Sequence, residues 1–108
     1  MKIGYSKAII NPPIGIELSG YGWFMKRNNI GVLKDIYTRA VCLDDGSAKT
    51  AIISLDLTWV HQFIVDNVES ALSEAGVKHV IISCTHTHTS PAAACYVGCG
   101  EPNADYCQ

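Results

Sequence analysis

The chain has 108 residues, of which 48% are hydrophobic and 17% charged, with a net charge of −2. That is one domain or part of one, with enough apolar material to fold. The slight acidity and the absence of any charge run give no electrostatic basis for binding nucleic acid or an anionic membrane. No apolar stretch approaches the roughly 18 residues needed to span a bilayer. Met1–Tyr5 lacks the apolar core of a secretory leader, so the cytoplasm is the expected compartment.

Lys2 to Ile10 alternates weakly and reads as a first strand, stopped at Asn11-Pro12-Pro13 because proline removes ladder donors and fixes φ. Gly20-Tyr21-Gly22-Trp23 is a glycine-aromatic loop. Such a loop lets backbone approach another group closely, although simple packing of Tyr21 and Trp23 on the core explains it as well. Residues 35–43 read as a strand rich in β-formers, Asp44-Asp45-Gly46-Ser47 as a hairpin turn, and residues 50–55 as the returning strand. The continuous apolar run of the returning strand predicts burial on both faces. Trp59 to Ala75 reads as a helix with Val60, Ile64, Val68, Ala71 and Ala75 on one stripe. Thr58 suits its N-cap and Gly76 its C-terminal stop. His61, in its first turn, has no assigned role. Residues 78–84 form the next strand, opened by His79.

The fold class is therefore α/β. A β-hairpin precedes a right-handed β-α-β unit, as part of a larger mixed sheet. In that arrangement Asp56 and His86 follow the C-terminal ends of two parallel strands, the edge where open α/β sheets place their sites.

The chemistry concentrates in Ser83-Cys84-Thr85-His86-Thr87-His88-Thr89-Ser90-Pro91. In an extended chain, residues i and i+2 share a side, so His86 and His88 can face one point with Thr87 turned away. Imidazole is the commonest protein metal ligand. The alternative is two polar residues on a surface loop. Asp56 either orients an imidazole from behind, as carboxylates do for metal-ligating histidines, or caps the helix beside Thr58. The five cysteines, an odd number, argue against a disulfide framework. Cys42 and Cys84 are expected as buried thiols. Cys95, Cys99 and Cys107 match no standard zinc spacing and read as loop thiols.

Taken together, four blocks resemble the N-terminal domain of the neutral/alkaline (non-lysosomal) ceramidases. They are residues 10–16 with Gly20-Tyr21-Gly22, residues 35–41 with Asp44-Asp45-Gly46, Ser54-Leu55-Asp56-Leu57, and Ile82 to His88 with Pro91. The resemblance implies a zinc-dependent hydrolase of the N-acyl bond of ceramide or a related amide. His86 would be a zinc ligand and His88 an acid-base or polar group toward the substrate, with Asp56 in reach of both. The remaining ligands, a histidine, a glutamate and a tyrosine, would come from later sequence, so Tyr106 is not the tyrosine ligand. On this reading the chain is a truncated N-terminal portion, inactive alone, that self-associates or pairs with the missing part. A small metal- or partner-binding protein and a cytoplasmic hydrolase of another amide or ester are the alternatives. One departure stands out. The family continues His-Thr-His with Ser-Gly-Pro or Thr-Gly-Pro, and here Ser90 replaces the glycine. If that position takes a positive φ, serine would cost roughly 1 kcal/mol.

Overall fold

The computed structural model describes residues 1–22 and 26–108; Trp23 of the glycine-aromatic loop lies outside them. The element order is β1 (Lys2–Ile9), β2 (Tyr37–Asp44), β3 (Lys49–Leu55), α1 (Gln62–Glu74) and β4 (His79–Cys84). The four strands form one mixed sheet in the order β1-β2-β3-β4. β1 and β3 each run antiparallel to β2, and β4 runs parallel to β3 across the helical connection. The α/β reading, the hairpin and the parallel return strand all stand.

The hairpin turn forms because Asp45 caps it from within. Its Oδ1 accepts the amides of Ser47 and Ala48 at 2.8 and 2.9 Å, and Gly46 supplies a φ of 92°. These bonds favour the carboxylate and lower the Asp45 pKa to about 2.

Strand alternation divides the sheet into two unlike faces. Ala51 and Ile53 of β3 are buried, whereas Ile52 between them is exposed. The prediction of burial on both faces of β3 is thus corrected. Ile52 pairs laterally with Val41 and Ile81, and Val41 with Tyr5, which makes one apolar row across all four strands on the open face. Cys42 and Cys84, expected to be buried, are half-buried, and Cys107 is the buried thiol.

The helix is shorter than the pattern predicts. It begins at Gln62, with the His61 ring as N-cap: Nδ1 accepts the Phe63 amide at 3.3 Å. Trp59, Val60 and His61 are left out of the helix, and Thr58 does not cap it, because Thr58 is tied to the loop after β4 and the His61 amide bonds to the Ala93 carbonyl. The face turned inward carries Ile64, Val65, Val68 and Leu72, while Ala71 and Ala75 are exposed. Gly76, with φ 81°, stops the helix as expected.

The core sits beyond the C-terminal edge of the sheet. Leu57, Ala93 and Cys107 form its centre, with Ile10, Ile36, Leu55, Val60, Ile64, Cys84 and Tyr106 packed around them. Residues 90–94 are all buried. Their small side chains let this segment pass through the core and pair with residues 17–19, through Ser19 N–H to the Ser90 carbonyl and Ala92 N–H to the Glu17 carbonyl, both 2.9 Å. Tyr106 closes the core from the far side by donating to the Ile10 carbonyl. Burial pushes its hydroxyl up to about 12.

Candidate metal and catalytic site

β3 and β4 end side by side, so the segments leaving them share the C-terminal sheet edge. Thr85 N–H donates to the Leu55 carbonyl at 2.9 Å and His86 N–H to the Leu57 carbonyl at 3.0 Å. The ladder therefore continues past the last strand residue and anchors the backbone of the His-Thr-His segment. The two imidazoles meet there, with ring centroids 4.8 Å apart and planes at 72°.

The route to that meeting is not simple strand alternation. β4 ends at Cys84, and His86 has φ 62°, in the left-handed region. A non-glycine residue held there costs on the order of 1–2 kcal/mol and persists where its surroundings enforce it. Two sets of bonds do so. The His86 ring donates from Nδ1 to the Thr58 carbonyl at 2.9 Å. Thr58 itself is buried, at 3% exposure. Its Oγ1 donates to the Thr87 carbonyl at 2.8 Å and lies 3.2 Å from Ser90 Oγ. Ser90 Oγ donates to the same Thr87 carbonyl at 3.0 Å and accepts the Thr58 amide at 3.1 Å.

Ser90 accordingly has a task that a glycine could not perform. It is fully buried, at 0% exposure, and is not among the residues with positive φ. The cost foreseen for serine at this position does not arise, and the left-handed residue of the segment is His86.

His88 is fixed from the opposite side. Arg27 Nη2 donates to the His88 carbonyl at 2.9 Å and to the Ser19 carbonyl at 3.0 Å, with its guanidinium 4.6 Å from the centre of the Tyr21 ring. Tyr21 meets the His88 ring edge-on at 5.5 Å. Gly20, with φ 107°, lies directly beneath: a Cβ there would fall 2.7 Å from His88 Cγ. The glycine-aromatic loop is therefore a seat for His88. Trp59 packs on His86 at 5.6 Å and on Tyr96 at 4.6 Å.

Asp56 occupies the expected sheet edge but has other partners. Its Oδ2 accepts from Arg39 Nη1 at 2.8 Å and from the Tyr37 amide at 3.0 Å. The acceptor behind His86 is the Thr58 carbonyl. Asp56 does not cap α1 either, since His61 does. Thr58, Ser90, Gly20, Arg27 and Trp59 are site residues that sequence reasoning did not assign. The signal available for Gly20 was its place in a glycine-aromatic loop; for Ser90, its place directly after the His-Thr-His-Thr run.

A metal ligand must offer a lone pair. A carbonyl only accepts, so the neutral His86 ring carries its proton on Nδ1 and leaves Nε2 free, the arrangement found behind metal-ligating histidines. His86 thus fits one position of a zinc site. Among the described residues there is no group of three or more His, Cys, Asp or Glu that could hold a metal ion, so they do not form a complete ligand set. They also include no helix long and apolar enough to cross a membrane.

No protein-family model matches the sequence. Solved structures do. Neutral ceramidase from Pseudomonas aeruginosa superposes with a TM-score of 0.72 at 22% identity over 83% of this chain. A ceramidase complexed with C2 gives 0.70 at 22% identity over the same share. The chain spans 15% of the length of each. Its mixed sheet and helix thus have the fold of part of those two structures.

Proposed function

We propose that this chain carries part of the active site of a ceramidase-type hydrolase, one that cleaves the N-acyl bond of ceramide or a related amide. The observation that carries the reading is the pairing of His86 and His88. Their rings are in contact, His86 is locked with Nε2 free, and its backbone is held in a left-handed conformation at the edge where an α/β sheet places its chemistry. The likeness to ceramidase structures supports the same reading.

In this proposal His86 Nε2 is one ligand of a zinc ion whose other ligands lie outside this chain, which would be the N-terminal portion of the catalytic domain. Zinc, when bound, supplies Lewis-acid polarisation of the scissile carbonyl. His88, beside it, holds or delivers a proton at the reacting amide. Asp56 anchors the same sheet edge through Arg39 and the Tyr37 amide, and so holds the start of the segment that leads to Thr58. Trp59 and Tyr21 wall the two imidazoles.

A zinc titration followed at the histidine ring nitrogens tests this. His86 Nε2 should shift first, and weakly, because a lone histidine pair is an incomplete set. His86→Ala should remove the response, and elemental analysis after gel filtration should find correspondingly less zinc in the variant. Equal zinc uptake by wild type and His86→Ala would sink the assignment. Hydrolysis of an N-acyl amide by this chain alone would overturn the claim that further ligands are required.

A further inference from the structure

We infer that the open face of the sheet is a docking surface for a second copy of this chain, which meets it face to face in a two-fold dimer. This inference is independent of the proposed hydrolase activity, and its test reads mass rather than turnover. The two faces of the sheet are unlike. α1 packs against β4 on one side, the side on which Ala51 and Ile53 are buried. On the other, the register sets Tyr5, Val41, Ile52 and Ile81 side by side across all four strands. Tyr5 is 65% exposed, Ile52 42% and Ile81 55%. Ile52 lies on a strand with neighbours on both sides, so its exposure comes from an uncovered face and not from an edge.

A second row beside the first carries Ile3, Leu43, Thr50 and His79. Neither row contains a lysine, an arginine or a carboxylate. Charge begins on the opposite flank, where Lys7 pairs with Arg39. Both of these cations lean away from the apolar centre. Lys7 Nζ lies 4.2 Å and Arg39 Cζ 4.9 Å from the centre of the Tyr37 ring, and Tyr37 pairs with Ile9 one row further out. Arg39 is also held by Asp56 at 2.8 Å. The patch is thus uncharged at its centre and along one flank, with its cations drawn to the other.

That distribution is self-complementary. A two-fold axis along the Tyr5–Ile81 row lays Ile3 and Leu43 of one copy over the aliphatic stems of Lys7 and Arg39 of the other. No cation then faces a cation. An axis parallel to the strands would stack the Lys7–Arg39 flanks on each other, so charge selects the first arrangement. The apolar row meets its own counterpart, as in an aligned sandwich of two sheets about 10 Å apart. Covering both patches removes on the order of 1,000–1,400 Å² in total, the small end of specific interfaces, which suits a reversible dimer.

Sedimentation velocity of the purified chain from 5 to 500 µM tests this. A monomer–dimer equilibrium is expected with a Kd of about 10–200 µM, as suits a small interface. Ile52→Lys and Ile81→Lys change exposed positions on different strands, and each should raise the Kd at least ten-fold while thermal melting confirms a folded chain. Val97→Lys, a change at a fully exposed loop residue off the sheet, should leave the Kd within two-fold. Raising salt from 50 to 500 mM should change the Kd less than three-fold, since no like charges are opposed. In a mixture of carbon-13-labelled and unlabelled chains, isotope-filtered Overhauser contacts should join the Ile52 methyl groups of the two copies. A chain monomeric throughout, or one that grows past the dimer, would overturn the proposal. So would a dimer indifferent to both lysine substitutions, which would place the contact at a strand edge, or one tightened strongly by salt, which would place the cations together.

Discussion

The ring of His86 donates from Nδ1 to the main-chain oxygen of Thr58 across 2.9 Å, and the Thr58 side chain in turn holds the carbonyl of Thr87. One residue thereby fixes both the ring of the first histidine and the backbone leading to the second. Thr58→Val keeps the shape and deletes the hydroxyl. It leaves Ser90 as the sole hydroxyl donor to the Thr87 carbonyl. A loss of about 1 kcal/mol in urea unfolding is expected, because one buried hydrogen bond is lost while the Thr87 carbonyl keeps its second donor. The ring resonances of both histidines should broaden or move in the folded variant. A variant as stable as wild type, with unmoved histidine signals, would show that the hydroxyl clamp does not set the site.

Gly20 allows no side chain. Alanine would bring a Cβ within 2.8 Å of both Cα and Cβ of His88 and would place an L-residue at φ 107°. The backbone term alone is about 1–2 kcal/mol, and the overlap adds to it because its partner includes main-chain atoms. Gly20→Ala should lower the melting temperature and separate His88 from Tyr21, read as loss of the ring-to-ring nuclear Overhauser contact. Gly31→Ala, where a Cβ meets nothing within 4 Å, is the matched control and should be nearly neutral.

Alkaline pH should act on the core through Tyr106. Its folded pKa, about 12, lies above the ordinary value of 10, chiefly because burial disfavours the phenolate. The stability it contributes is complete below pH 10 and is lost as pH rises from about 10 to 12. Wild type should therefore destabilise across that window. Tyr106→Phe, which cannot ionise, should show a flatter profile there while being less stable at neutral pH through loss of the bond to the Ile10 carbonyl. Identical alkaline profiles would remove Tyr106 from the account.

The thiols should react in an order set by their surroundings. Cys95 is exposed, whereas burial pushes the Cys84 and Cys107 thiols up and so lowers their thiolate fraction. Iodoacetamide at pH 8 should modify Cys95 first and Cys107 only as the protein unfolds, which peptide mass mapping after timed quenching would resolve.

The strands, the Asp-Gly hairpin and the parallel return were legible because each rests on local pattern: alternation, turn chemistry and an apolar run of the right length. The convergence of His86 and His88 was legible in outcome but not in route. Alternation predicts it for an extended chain, whereas a left-handed His86 achieves it, held by bonds to Leu57 and Thr58 nearly thirty residues earlier. The late start of α1 has the same origin. Thr58 and Trp59 fit a helix locally, but Ser90, Thr87 and the rings of His86 and Tyr96 claim them. Asp56 shows the converse. Its edge was legible from topology, and its partner was not, because Arg39 on the neighbouring strand is brought to it only by register. The left-handed φ at His86, the seat at Gly20 and the buried Ser90 depend on which loops meet, and no period in the sequence encodes that.

The position of β1 sets how the molecule breathes. It hydrogen-bonds to β2 alone, and all eight of its residues are exposed. Its detachment would uncover little apolar surface, so it can lift away at a free energy well below that of global unfolding. Amide protons of β1 should exchange with deuterium much sooner than those of β3, which has neighbours on both sides and buries Ala51 and Ile53. Such an excursion would bare the main-chain groups of β2 for pairing with another strand, while leaving the far edge with its two imidazoles undisturbed.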